Sequence, residues 1–288
     1  MESVAAQLIA DLEASGQRHQ VQYQGRQMTW RRFGAGSPFV LLHGGHGSWR
    51  HWARNIESLA ASRTVWVPDM PGYGDSDSLD RNAGLAGLLS AMHSMLDDLF
   101  GKHGQIDLAG FSFGGFIASN IAVQRASVRS LVTVGCGGHG GPRRETQELI
   151  NWRKSKTALE VDAAMRHNLK AHMLSDPAKL DELALEIHRW SCRHTRFRSK
   201  EISRSGRLSE VLSQRELPVM MLWGSNDVTA VPEMLLPRLL DGHPLRQGQI
   251  LDGGGHWVQY ECFAQVNHLL EQWCAHVSHA APSESYSC

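Results

Sequence analysis

The sequence predicts an α/β protein built on a mostly parallel sheet, on three observations. Short, almost wholly apolar runs recur at 39–42, 64–67, 106–109, 131–134 and 219–223, with a weaker one at 249–251. Runs of this kind suit strands covered on both faces, as parallel strands are. Most are separated by segments long enough for a crossover helix, and alternating strands and helices imply right-handed βαβ crossovers. One interval, between 134 and 219, is far longer than a single crossover needs.

The elements follow in order. Residues 1–18 have an amphipathic pattern, with Val4, Leu8 and Leu12 at i, i+4 and i+8 as the expected apolar stripe of a helix. From 19 to 33 the period changes: Val21 and Tyr23, then Gly25 and Arg26, then Met28 and Trp30 alternate around a turn, as in a β-hairpin. The run 39–42 is the first buried strand and ends in His43-Gly44-Gly45. The long interval opens with the glycine-rich stretch 135–142 and continues with helical patterns over 145–153, 158–174 and 177–190, Arg and His being dense from 189 to 207. It is expected to be a helical lid, 140–210, inserted between two late strands over the C-terminal edge of the sheet. Residues 1–139 and 211–279 then form the core domain, and the small, polar residues 280–288 a flexible tail.

Composition narrows the function. The chain has 288 residues, 42% of them hydrophobic, and 29 Lys+Arg balance 29 Asp+Glu. That balance argues against a nucleic-acid partner and against a disordered acidic chain, and leaves a globular protein acting on a small molecule. No apolar run approaches the length of a membrane span, and the N-terminal residues lack the basic-then-apolar order of a signal peptide. Five cysteines without a CxxC read as free thiols of a reducing cytoplasm. The 16 histidines contain no HExxH spacing, so no metal is expected.

One motif carries chemistry. Gly110-Phe111-Ser112-Phe113-Gly114 is a G-x-S-x-G with an apolar strand before it and an apolar helix after it. At such a turn the serine hydroxyl is pushed above the sheet, and the flanking glycines let backbones approach closely. A nucleophilic serine needs two N–H groups aimed at the developing oxyanion. The residue after the nucleophile, Phe113, offers one; Gly45, after the first buried strand, is the candidate for the other. His43 is expected to be a structural hydrogen-bonder, and His46 a substrate contact. The base and its orienting carboxylate should follow in the order Ser, Asp/Glu, His. Asp227 lies just past the strand 219–223, and His256 sits in the glycine-rich loop after the last strand. Asp252 is a minor rival for the acid.

The pieces LLHGG at 41–45, PDMPGYGDSD at 68–77, GFSFGG at 110–115, LWGSND at 222–227 and GGGHWVQYE at 253–261 together resemble the α/β-hydrolase superfamily over nearly the whole chain. The resemblance implies the α/β-hydrolase fold, a triad of Ser112, Asp227 and His256, oxyanion donors Gly45 and Phe113, and no cofactor. A serine at the elbow separates this chain from haloalkane dehalogenases and epoxide hydrolases, which carry Asp there. His256-Trp257 and the HGG loop look like the meta-cleavage-product hydrolases, which cleave a C–C bond of a vinylogous diketo acid, and like related esterases and lactonases. In that group the residues flanking the nucleophile are often Asn and Met; here they are Phe111 and Phe113. The expected activity is a serine hydrolase cleaving an ester, a lactone or an activated C–C bond of a small apolar or aromatic substrate. Phe111, Phe113 and Trp257 would line an aromatic pocket. A substrate carboxylate would call for a lid arginine, with Arg193, Arg196, Arg198 and Arg204 as candidates. A C–C hydrolase specifically, a cofactor-free oxygenase and a non-hydrolytic receptor of the same fold stay open as alternatives, as does a homodimer.

Overall fold

The structure is a computed structural model and describes residues 3–280; residues 281–288 of the expected tail lie outside the described residues. Eight strands form one sheet: β1 (Gln17–Tyr23), β2 (Arg26–Phe33), β3 (Pro38–Leu42), β4 (Thr64–Pro68), β5 (Ile106–Phe111), β6 (Val128–Val134), β7 (Val219–Gly224) and β8 (Arg246–Leu251). Their order is β1-β2-β4-β3-β5-β6-β7-β8. β1–β2 and β2–β4 pair antiparallel, and every pair from β4 to β8 is parallel. The β1–β2 hairpin turns at Gln24 and Gly25, both at positive φ (49° and 73°), the backbone of a type I′ turn.

The helices are α1 (Val4–Ala14), α2 (Ile56–Ala60), α3 (Gly84–Phe100), α4 (Phe113–Gln124), α5 (Ala158–His172), α6 (Glu182–Arg193), α7 (Lys200–Ser203), α8 (Leu208–Leu212), α9 (Pro232–Leu240), α10 (Val258–Glu261) and α11 (Phe263–Ala280). Two large apolar clusters cover the two faces of the sheet. One gathers Val40, Leu42, Leu108 and Leu131 with α3, α4, α8 and α9; the other gathers Phe39, Leu41, Ala109 and Val132 with α2 and α11. Alternate residues of β3, β5 and β6 therefore point into opposite layers, which is why these strands read as unbroken apolar runs. This is the α/β-hydrolase fold.

Two expectations need correction. In α1 it is Ala5 and Ile9 that are buried, with Leu12 partly so, while Val4 and Leu8 face solvent at 80% and 53% exposure. The buried face is one residue round from the predicted stripe, fixed where Glu13 pairs with Arg31 at 2.6 Å. The helix expected over 145–153 is absent; only a 3₁₀ turn, Trp152–Lys154, is formed. The polar groups of this stretch are satisfied sideways by α5: Asn168 accepts from the Ile150 amide at 2.7 Å and donates to its carbonyl at 2.8 Å, and His167 Nε2 meets Glu148 O at 2.8 Å. A chain whose backbone groups are met by a neighbouring helix has no need of its own helical ladder.

Candidate active site

Ser112 occupies the turn between β5 and α4 with φ 52° and ψ −116°, a strained conformation for a residue with a side chain. The turn is held from outside: the Ser112 amide donates to Val134 O at 2.8 Å, and the Gly137 amide donates to Ser112 O at 2.9 Å. No larger residue fits at the flanking glycines. A Cβ on Gly110 would lie 2.2 Å from Gly114 O, and one on Gly114 2.3 Å from His43 O.

The three predicted side chains converge. Ser112 Oγ and His256 Nε2 are 2.9 Å apart, and His256 Nδ1 is 2.9 Å from Asp227 Oδ2. In the tautomer this line requires, Nδ1–H donates to the carboxylate and Nε2 accepts from the serine. The Thr229 amide donates to Asp227 Oδ1 at 2.7 Å, and the Thr229 hydroxyl is 3.1 Å from His256 Nδ1. Asp227 is fully buried. Burial alone works against its charge, but His256 and the Thr229 donors outweigh it and hold the carboxyl below its ordinary range. Gly135, just past β6, lies against the pair; a Cβ there would come within 3.2 Å of His256 Nδ1 and 3.3 Å of Asp227 Oδ2. Asp252, the rival acid, points elsewhere, toward the Ser225 hydroxyl at 3.4 Å.

The Gly44–Gly45 loop folds over Ser112. A Cβ on Gly44 would sit 3.3 Å from Ser112 Cβ, and one on Gly45 3.7 Å from Phe113 Cβ. The Gly44 amide is taken by His51 Nδ1 at 3.2 Å. Among the described residues, the Gly45 and Phe113 amides donate to no protein acceptor, and the latter begins α4, where N–H groups lack helical partners. His43 bridges inside the loop: Nδ1 is 2.8 Å from Gly44 O, and Nε2 accepts from the Met70 amide at 3.0 Å.

The expected pocket walls are partly wrong. Phe111 and Trp257 are 1% and 0% exposed. Phe111 packs beneath the His256 ring at 5.0 Å, and Trp257 lies behind His51, donating from Nε1 to His51 O at 3.0 Å. They are core residues, because rings this close to the sheet are covered by the helices above it. Arg193 is on the exposed face of α6. Arg196 is spent on the 68–77 loop, donating to Gly74 O at 3.2 Å, to Ser76 O and to Ser78 Oγ at 3.0 Å. Among the described residues, neither side chain bonds to a residue of the triad. His46 is exposed on the loop after β3, and desolvation and then the Arg153 charge lower its pKa.

Sequence reasoning missed His172 and His188. The His172 ring, at the end of α5, is 5.5 Å from that of His256. Burial and then the facing His256 push it down to about 3, and burial with His46 nearby pushes His188 down to about 4. Among 16 histidines no spacing singled them out. Glu261 was missed too. It accepts from the Gly255 amide at 2.6 Å and from the Ser175 and Asp176 amides at 2.8 and 2.9 Å, tying the His256 loop to the segment after α5.

A profile of the Alpha/beta hydrolase family matches residues 39–269. The chain is 31% identical over 259 residues to a 2-hydroxy-6-oxononadienedioate/2-hydroxy-6-oxononatrienedioate hydrolase of Cupriavidus pinatubonensis, covering 82% of this chain and 86% of that protein. It is 29% identical over 262 residues to the dihydrolipoyllysine-residue acetyltransferase component of the acetoin cleaving system of Pseudomonas putida, covering 85% of this chain but spanning only 66% of that protein's length. In structure it is similar to a meta-cleavage product hydrolase from Pseudomonas fluorescens IP01, with a TM-score of 0.68 at 20% identity over 90% of this chain and 97% of that one.

Proposed function

The chain belongs to the alpha/beta hydrolase family, and we propose that within it Ser112, His256 and Asp227 hydrolyse a small carbonyl substrate through an acyl-enzyme. The observation that carries this is the unbroken line from Ser112 Oγ through the His256 ring to Asp227, with both contacts at 2.9 Å.

His256 Nε2 takes the Ser112 proton as Oγ attacks the carbonyl carbon. The oxygen gains the electron pair and is met by the Gly45 and Phe113 amides. Asp227 holds the ring in place and favours the imidazolium that forms. That imidazolium returns its proton to the departing oxygen or carbon, leaving an acyl group on Ser112. Water then loses a proton to His256 as its oxygen attacks the acyl carbon; the bond to Ser112 Oγ breaks, the acid leaves, and the imidazolium returns that proton to Oγ. Triad and water account for every proton, and no cofactor takes part. Residues 140–210 act as a lid, contacting the core through Gly138–Ser203, Met173–Trp257 and Glu261–Ser175.

The leaving group distinguishes two readings. An ester or lactone is the general one. Cleavage of an activated C–C bond is favoured by the 31% identity to a hydrolase whose name specifies an oxo-dienedioate. Spectroscopic turnover of a coloured meta-cleavage dienoate, set beside 4-nitrophenyl acetate, decides between them. Bleaching of the dienoate at the higher kcat/KM supports the C–C reading; ester turnover with no bleaching rejects it. No helix among the described residues is long and apolar enough to cross a membrane. We place the enzyme in the cytoplasm, in keeping with the free thiols of Cys136, Cys192 and Cys262. Its partner is the small-molecule substrate; a homodimer is compatible with this reading.

A further inference from the structure

Ser199 stands at the N-cap of α7, where a serine hydroxyl ordinarily accepts from the first turn, yet it makes no capping bond. The residue is 4% exposed. Its hydroxyl is turned instead toward the oxyanion loop: a Cβ built on Gly45 would lie 2.5 Å from Ser199 Oγ. Fixed backbone geometry then puts that oxygen within about 5 Å of the Gly45 amide. Beside it is the fully buried hydroxyl of Tyr73, for which Ser199 is the side-chain partner; burial raises the phenol's pKa and the Ser199 contact opposes the rise.

The strand of chain that carries Ser199 is fastened on both sides. The Arg196 and Phe197 amides donate to Gly72 O at 2.8 and 3.2 Å, and the Gly138 amide donates to Ser203 O at 2.8 Å. The Phe197 ring lies 5.8 Å from Phe113 and 5.9 Å from Tyr73. Gly45 and Phe113 are the two amides already assigned to the oxyanion. Residues 196–203 thus form a strap across the nucleophile turn, held before any substrate arrives.

We propose that Ser199 is a third oxyanion donor, supplied by the lid, with Tyr73 donating to its oxygen and so directing its proton at the substrate. Tyr73 is a positioning residue; Ser199 touches the reacting oxygen. The Ser199 proton is not transferred. A hydroxyl fixed in this way is worth most when the carbonyl oxygen becomes charged, so it acts on kcat rather than KM. The assignment rests on Ser112 being the nucleophile.

The test is 4-nitrophenyl acetate turnover, with phenylboronic acid as a tetrahedral mimic bound at Ser112. Ser199→Ala is expected to lower kcat about 10- to 100-fold, to leave KM within about threefold, and to weaken boronate inhibition in parallel. Ser199→Thr, which keeps the hydroxyl, should recover most of the loss. Tyr73→Phe should lower kcat less than Ser199→Ala does, and add little on top of it. Wild-type kcat and boronate affinity in Ser199→Ala would overturn the proposal, as would an equal loss in Ser199→Thr. Failure of the underlying reading looks different: wild type would then turn over no faster than Ser112→Ala.

Discussion

Asp227 illustrates how a single position can be legible in sequence and still need coordinates for its chemistry. Its place just past β7, before a histidine in the next loop, follows from chain order. Thr229, which gives Asp227 an amide and lies 3.1 Å from His256 Nδ1, has no sequence signal. Asp227→Asn presents an amide to His256 in place of the carboxylate and favours the wrong tautomer. It should lower kcat by a factor on the order of 10⁴ with little change in KM; steady-state kinetics showing a loss under tenfold would mean that His256 is oriented by something else. Phe111 and Trp257 failed as pocket residues for a related reason. Sequence shows that a ring adjoins a candidate residue but not which side of it the ring covers: Phe111 packs against the His256 ring and Trp257 behind His51. Ser112 and His256 were legible because each directly follows the pattern of a strand and sits among glycines.

The nucleophile turn shows what elements contribute. β5 delivers Ser112 between β3 and β6, and the bonds to Val134 and Gly137 stop the turn from relaxing. Close approach of Gly110 to Gly114 is what permits it. Gly110→Ala should destabilise the fold by about 1–3 kcal/mol through overpacking and abolish activity in whatever still folds. A chemical denaturation midpoint equal to wild type would show that the turn has slack. The strands were readable because burial on both faces leaves continuous apolar runs. The stretch 145–153 was not, since its backbone groups are bonded by Asn168 and His167 on α5, a neighbour that local periodicity does not reveal. The inward face of α1 was likewise decided by the surfaces it met.

Assembling the fold draws several imidazoles together around the triad. His43, His51, His172 and His188 are all held below their ordinary range, burial being the first cause in each case. In the unfolded chain they protonate near pH 6.5; in the folded protein each titrates lower, His188 at about 4 and His172 at about 3. The unfolded state therefore binds more protons as pH falls below 6.5, and stability declines through that window. The melting temperature should fall steadily from pH 7 to pH 5, with a shallower slope for His188→Gln. Equal slopes in the two proteins would show that His188 is not kept neutral by the fold. In the function proposed above, this geometry serves one event, the attack by a serine that His256 makes reactive. Mass spectrometry after treatment with a fluorophosphonate tests that most directly. Wild type should take up one equivalent, mapped to the peptide bearing Ser112, and His256→Ala should label far more slowly. No adduct on wild type, or an adduct on another residue with Ser112 untouched, would contradict the account.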